Sequence, residues 1–220
     1  LTNALVVTKV AITSNRPQTT RHAIRGVLHR PDAQLILVDT PGLHRPRTLL
    51  GERLNDVVRT TWAEVDAVAF CLAADAPVGP GDRFIATELA ALGRSTPVLA
   101  VVTKTDLVDP GQVVAQLLAA QRLGAEVGLE LAEVVPVSAV TGHQVDLLAD
   151  LLVARLPAGR PLYPDGAVTD APEQVLVAEL VREAALEGVR DELPHSLAVT
   201  VEEMHRDDER DLMVIYATMY

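Results

Sequence analysis

The sequence predicts an α/β domain with a mostly parallel sheet, followed by a smaller unit of the α+β class. Short, almost wholly apolar runs alternate with longer segments in which apolar residues recur every three or four positions. This alternation is typical of parallel strands that helices cover on both faces. Strands are predicted at 34–38, 66–72, 97–102 and 134–137. Helices are predicted at 1–6, 51–64, 82–92, 112–124 and 145–156.

A change of composition marks the second unit. Six prolines and glycines crowd the interval 157–172, where neither a helix nor a strand can persist, and this predicts a linker. After it, the pattern predicts an amphipathic helix at 173–190, an alternating strand at 197–201 and a strand-like run at 212–220. The predicted organisation is therefore a domain at 1–156, a linker at 157–172 and a second unit at 173–220.

Composition and charge limit the class of protein. The chain has 220 residues, of which 49% are hydrophobic, so it can bury a sizeable core and is not of the disordered class. Its formal net charge of −11 repels phosphate backbones, so composition alone argues against nucleic-acid binding by the residues present.

The chain contains one cysteine, Cys71, inside a predicted buried strand. This position favours a core thiol over a redox or nucleophilic role. A single cysteine leaves no disulfide partner within the chain, which fits a reducing compartment. No apolar stretch is long enough to cross a bilayer, and no basic-then-apolar segment opens the chain. We therefore predict a cytoplasmic location.

Three polar motifs each follow directly on a predicted strand. They are Asp39-Thr40-Pro41-Gly42, Thr103-Lys104-Thr105-Asp106 and Ser138-Ala139-Val140. Taken singly each is ordinary, because an aspartate at a strand end is often a turn residue or a helix cap. In an open parallel sheet, however, the carboxyl ends of the strands face one crevice, where ligands bind. The sequence therefore predicts that the three motifs share one pocket.

The order and spacing of these motifs resemble those of small GTPases. With Gln18-Thr19-Thr20-Arg21-His22 and the extension of the first motif through Leu43-His44, the chain resembles the Era-type GTPases, which act in ribosome assembly. The resemblance implies a Ras-like P-loop NTPase domain followed by the first part of an RNA-binding KH domain. It also implies GTP or GDP and Mg²⁺ as cofactors.

Guanine presents N1–H and its N2 amino group side by side, so one carboxylate can accept both hydrogen bonds. The resemblance assigns this role to Asp106. It further implies that the aliphatic stem of Lys104 lies along the base and that the backbone N–H of Ala139 meets guanine O6, with Val140 beside it. Thr103 stands where asparagine is commoner, and a hydroxyl has fewer donors and acceptors than a carboxamide. We therefore expect weaker nucleotide affinity.

At the phosphate end, the resemblance makes Thr20 the residue whose hydroxyl binds magnesium with GTP, with Thr19 as the alternative. It makes Asp39 a ligand of the same ion through water, and it gives Gly42, after Thr40 and Pro41, an N–H for the γ-phosphate. Thr20 and Gly42 are thus the candidate catalytic residues.

Leu43 occupies the position where Ras-like proteins carry a glutamine that orients water. An apolar side chain cannot do this, so we expect slow hydrolysis unless another group, a potassium ion or a partner supplies the orientation. We interpret His22 and His44 as solvated loop residues rather than substitutes.

The sequence contains no GxxxxGKS phosphate loop and no GxxG loop of a KH domain. Because the chain begins with Leu1 inside a predicted helix and stops inside a strand-like run, we expect both ends to be truncated, and we expect the fragment to bind GTP poorly. The resemblance implies small-subunit ribosomal RNA and the small ribosomal subunit as partners of the intact protein, allows peripheral membrane association and does not include DNA. The alternatives are a non-catalytic RNA-binding assembly factor and a related tRNA-modification GTPase.

Overall fold

The computed structural model describes residues 1–14, 19–43, 49–92, 96–188 and 197–220. The helices are α1 (Thr2–Val6), α2 (Leu49–Glu64), α3 (Pro80–Ala90), α4 (Pro110–Val127), α5 (Val145–Val153) and α6 (Glu173–Gly188). The strands are β1 (Ile24–His29), β2 (Gln34–Asp39), β3 (Val68–Ala73), β4 (Val98–Thr103), β5 (Leu131–Pro136), β6 (Val199–Asp207) and β7 (Leu212–Met219). The predicted elements are confirmed, most of them to within three residues, but β6 continues six residues past its predicted end, and β1 is an addition.

The parallel sheet has the strand order β3-β4-β5. Its central strand, β4, buries five of its six residues, as a strand covered on both faces must. Val98 and Ala100 pack on one side with residues of α2, α3 and α4, whereas Leu99 and Val101 pack on the other side with residues of α1 and α5. The alternation of side chains along β4 thus joins two hydrophobic cores through one strand.

Two further pairs of strands are antiparallel. β1 pairs with β2 over six residues, from Ile24 opposite Asp39 to His29 opposite Gln34. β6 pairs with β7 and packs against α6, which confirms the α+β character of the second unit. Among the described residues the β1–β2 pair forms a sheet of its own and is not hydrogen-bonded to β3.

A slot separates β2 from β3. Two cavities of about 360 and 330 Å³ lie along it, and both are lined by Leu37 and Val38 on one side and by Val68 and Ala69 on the other. Cys71 lines the larger cavity and is exposed. The prediction of a buried core thiol was therefore wrong, because only alternate residues of β3 face the core and Cys71 faces the slot.

The predicted linker is hydrogen-bonded to the β1–β2 pair. Val27 N donates to Val168 O at 2.9 Å, so the linker continues the hydrogen bonding of β1. The side chain of Gln34 accepts from the backbone N–H of Leu162 at 2.8 Å and of Tyr163 at 2.9 Å, and it donates to Tyr163 O. An exposed strand edge invites unwanted pairing, and this segment, which we term the strap (residues 162–168), covers it.

The helix termini follow local chemistry. The Asp109 side chain accepts from Gly111 N at 2.8 Å and Gln112 N at 3.1 Å, which caps the start of α4 beside Pro110. Gly128, with φ of 74°, ends the same helix in the left-handed conformation. The chain then turns directly into β5, so Gly124 of α4 lies against the backbone of Leu129.

Two helical glycines are expected to respond in opposite ways to alanine. A Cβ at Gly124 would lie 2.9 Å from Leu129 O, so Gly124→Ala should lower the free energy of unfolding by about 2 kcal/mol through overpacking. A Cβ at Gly81 of α3 meets nothing within 4 Å, so Gly81→Ala should raise it by about 0.5 kcal/mol. Urea denaturation monitored by circular dichroism measures both, and equal effects would contradict the packing described at Gly124.

The Cys71 thiol has solvent access through the slot yet is surrounded by protein, and this burial raises its pKa to about 11. At pH 7.5 its alkylation by iodoacetamide should be about two orders of magnitude slower than that of an ordinary thiol of pKa near 8.5. The rate should rise about tenfold per pH unit from 7.5 to 9.5 without a plateau. The same chain unfolded in urea is the control, and equal rates in the two states at pH 7.5 would disprove the expectation.

Candidate functional site

The ends of β4 and β5 bring two of the predicted motifs into contact. Asp106 lies in a short 3₁₀ turn after β4, and Ser138 follows β5 and is 1% exposed. Ser138 Oγ donates to Asp106 Oδ1 at 2.5 Å and accepts from Thr141 N at 3.1 Å. The neighbouring Ala139 and Val140 are exposed. Because β4 and β5 are adjacent and parallel, their carboxyl ends place both motifs at one edge of the sheet.

Thr103 and Lys104 connect this edge to the loop after β3. Thr103 Oγ1 donates to Leu72 O at 3.3 Å, and Lys104 Nζ lies 3.2 Å from Asp75 Oδ2. Lys104 adopts a left-handed conformation with φ of 58°, which costs a non-glycine residue about 1 kcal/mol and is found most often at functional sites.

Gln116 is a supporting residue that the sequence did not reveal. It is buried in α4, and its Nε2 donates to Ala73 O at 2.9 Å and to Ala76 O at 3.0 Å. These bonds fix the loop that carries Asp75, the partner of Lys104. A glutamine within an amphipathic helix has no distinctive sequence pattern, and only the fold shows that it faces inward.

A second group of predicted residues gathers at the end of β2. Thr20 Oγ1 donates to Asp39 Oδ2 at 3.2 Å. Burial raises the pKa of Asp39, and the hydrogen bond from Thr20 opposes this only in part. Thr40, Pro41 and Gly42 follow Asp39 around the wall of the larger cavity. A partly buried carboxylate beside a hydroxyl offers the oxygen ligands that a hard divalent cation prefers, so the residues present fit Mg²⁺.

The structure does not join the two groups directly. The cavity beside Asp39 is lined by residues of β2, β3 and the helices α1, α2, α3 and α5, and neither Asp106 nor Ser138 is among them. Within the described residues, no hydrogen bond links the pair Thr20 and Asp39 to the pair Asp106 and Ser138. The slot between β2 and β3 lies between the two groups.

Three further predictions concern the loops. His22 is exposed, in agreement with a solvated loop histidine, whereas Gln18 and His44 lie outside the described residues. Leu43 is 5% exposed and packs in the core that contains Val58 and Trp62. Its side chain therefore serves packing and cannot orient water.

In ranges 1–14, 19–43, 49–92, 96–188 and 197–220, no group of three or more His, Cys, Asp or Glu residues is arranged so that it could hold a metal ion. Over the same ranges, no helix combines the length and apolar character needed to cross a membrane.

Comparison with known proteins gives concordant results. Residues 1–104 match the family described as 50S ribosome-binding GTPase. The whole chain is 67% identical to GTPase Era of Streptomyces coelicolor, of which it covers 70%, and 64% identical to GTPase Era of a Nocardioides species, of which it covers 71%. The chain belongs to the Era family of GTPases.

Solved Era structures share this fold. A crystal structure of Era with MgGDPNP and nucleotides 1506–1542 of 16S ribosomal RNA superimposes with a TM-score of 0.90 at 33% identity, over 99% of this chain and 72% of that one. An Aquifex aeolicus Era variant bound to GDP·AlF4⁻ gives a TM-score of 0.89 at 32% identity with the same coverage. These matches confirm the Ras-like GTPase domain, and the antiparallel β6 and β7 after α6 are consistent with a KH domain.

Asp39 makes the stability of this Era-family chain depend on pH. Its folded-state pKa lies above the unfolded value, so the stabilisation it gives is complete below the unfolded pKa and is lost as pH rises through the folded pKa. Asp39→Asn keeps an acceptor for Thr20 and removes the buried charge. We expect the variant to be more stable than the unaltered chain by about 1 kcal/mol at pH 7, and the difference to shrink towards pH 4.

Thermal and urea denaturation at both pH values measure this difference. Asp165→Asn, which changes an exposed carboxylate in the linker, is the matched control and should leave stability unchanged. A destabilised Asp39→Asn chain at pH 7 would show that the charge is compensated in the fold.

Proposed function

We propose that this Era-family GTPase binds GTP and GDP at the ends of β2, β4 and β5, hydrolyses GTP, and binds small-subunit ribosomal RNA during assembly of the small subunit. The observation that carries the proposal is the 2.5 Å contact between Ser138 Oγ and Asp106 Oδ1. It joins two motifs that are 32 positions apart in sequence at one edge of the parallel sheet.

Asp106 is the proposed guanine-recognising residue. The Ser138 hydroxyl donates to one of its oxygens and fixes the carboxylate, which leaves lone pairs to accept guanine N1–H and N2–H. Adenine lacks this pair of donors and would leave the Asp106 carboxylate unpaired in the complex, which is the basis of base selectivity. Thr103 and Lys104 complete the base pocket, with the exposed backbone of Ala139 and Val140 opposite.

Thr20 and Asp39 are the proposed residues for the metal at the phosphate end. The hydrogen bond between them favours Thr20 over Thr19 as the residue beside the ion. Mg²⁺, when bound, neutralises charge that develops on the phosphate oxygens. Gly42 has no side chain, so its N–H can approach the γ-phosphate closely, with Thr40 and Pro41 setting the path of the loop. Since Leu43 is turned into the core, another group, a potassium ion or a partner must orient the attacking water.

The second unit is proposed as the RNA-binding part. The Era protein with MgGDPNP and the 16S RNA fragment shares the fold of this chain over α6, β6 and β7 as well as over the GTPase domain. We retain the boundaries 1–156 for the GTPase domain, 157–172 for the linker and 173–220 for the KH-type unit. With a net charge of −11 on the chain, RNA binding must rest on specific contacts rather than on bulk attraction.

A non-catalytic assembly factor is the second candidate, because the 220 residues contain no GxxxxGKS segment. The complete reading frame decides between the two. A frame that encodes GxxxxGKS ahead of Leu1 excludes the non-catalytic candidate, whereas a frame without it overturns the proposal of GTP hydrolysis.

Asp106→Asn should shift base selectivity from guanine towards xanthine. The asparagine still accepts from Ser138, but its amide both donates and accepts, which suits xanthine. We expect GDP affinity to fall by about ten- to a hundredfold, the equivalent of a lost hydrogen bond to a charged group, and xanthosine diphosphate affinity to rise.

Fluorescent GDP and its xanthine analogue, titrated against the protein encoded by the complete reading frame, test this expectation. Asp165→Asn is the control for loss of one negative charge. Unchanged selectivity would remove Asp106 from the proposed role.

A further inference from the structure

Three charged residues of α6 are buried, which is unusual because charged side chains normally face solvent. Glu179 is 9% exposed, Arg182 2% and Glu183 7%. Charged side chains are almost never buried unless they are paired. Their partners lie partly in the GTPase domain, on both sides of residues 15–18, the segment that precedes Thr19 and Thr20 in the sequence.

Glu183 binds Thr13, which precedes this segment. Its Oε1 accepts from Thr13 N at 2.7 Å and from Thr13 Oγ1 at 3.1 Å, and its Oε2 accepts from Lys9 Nζ. Burial alone would raise the pKa of Glu183, but the hydrogen bonds from Lys9 and Thr13 outweigh it and hold the pKa below the usual value. The carboxylate is therefore charged and fully engaged at neutral pH.

Arg182 binds Thr19, which follows this segment. Its Nη2 donates to Thr19 O at 2.5 Å, while Nε and Nη2 donate to the two oxygens of Glu179 at 2.8 and 2.6 Å. Nη1 is buried without a hydrogen-bond partner among the described residues. A buried ion pair with an unsatisfied donor is poor evidence for a stabilising role, so the pair has to be explained by what it positions.

A third contact joins Arg21 to the second unit. Arg21 Nη1 donates to Leu197 O at 2.7 Å. Thr13, Thr19 and Arg21 are thus each hydrogen-bonded to the second unit, and Thr20, which lies among them, donates to Asp39. The second unit therefore binds the chain on both sides of Thr20, the proposed magnesium ligand.

We propose that Arg182 and Glu183 form a clamp, through which the second unit positions the switch residue Thr20 for GTP. The inference rests on the proposed role of Thr20 at the phosphate end. Arg182 and Glu183 are positioning residues, since they act through the backbone of Thr19 and Thr13. Because coupling between sites is reciprocal in binding free energy, occupation of the phosphate end by GTP must in turn bias the position of α6.

The clamp can be opened without leaving a buried charge. Replacing a buried ion pair by apolar residues of similar volume is often neutral for folding, so the variant Glu179→Leu/Arg182→Met removes the bond to Thr19 and preserves packing. The matched control is Glu88→Leu/Arg59→Met, which removes an exposed ion pair between α2 and α3 whose Arg59 Nη2 and Glu88 Oε2 are 2.9 Å apart.

Hydrogen exchange tests the clamp in the absence of nucleotide. In the clamp variant, peptides that contain Thr19 should exchange about tenfold faster or more, while peptides that contain Thr13, which Glu183 still holds, and peptides of β4 remain unchanged. The control variant should match the unaltered chain throughout. Equal exchange of the Thr19 peptide in both variants, or a uniform rise that includes β4, would overturn the clamp.

Nucleotide affinity tests the positioning role in the protein encoded by the complete reading frame, with MgGDP and MgGDPNP as probes. The clamp variant should lose about fivefold or more of its preference for MgGDPNP, with MgGDP affinity unchanged, because only the triphosphate form requires Thr20. Equal weakening of both nucleotides would overturn the positioning role. If the unaltered protein binds neither nucleotide, the proposed function fails, and the exchange experiment still decides whether the clamp exists.

Discussion

The exclusion of water from β4 is the constraint on which the rest of the molecule depends. Five of its six residues are buried, so polar groups can appear only where the strand ends. Thr103, Lys104 and Asp106 stand at that end, and the parallel neighbour β5 delivers Ser138 to the same edge. Helices cover β4 on both sides, so the proposed base pocket stands at the end of a strand that is packed between two hydrophobic cores.

The sequence identified those features that have a local pattern. Apolar runs located β2, β3, β4 and β5, and the rule for strand ends placed Asp106 beside Ser138. β1 was missed because Arg25, Gly26 and His29 interrupt its apolar residues, and only pairing with β2 makes it a strand. The exposure of Cys71 and the clamp could not be predicted, since they depend on tertiary contacts such as that between Arg182 and Thr19, 163 positions apart.

Two carboxylates, one partly buried and one buried, illustrate how the surroundings of a side chain determine its role. Asp39 receives one hydroxyl donor from Thr20, and burial raises its pKa, so a cation would relieve an unfavourable charge. Glu183 accepts hydrogen bonds from the cationic side chain of Lys9 and from two donors of Thr13. Its charge is therefore already compensated, and it serves to hold the chain. The same functional group is thus suited to metal binding at one place and to holding the chain at another.

The strap has a mechanical consequence. Residues 162–168 attach the chain ahead of α6 to β1, and the clamp attaches α6 near Thr13 and Thr19. A change that loosens only the contacts of the second unit therefore leaves it tethered to the GTPase domain by the strap, so the second unit can rotate but cannot separate.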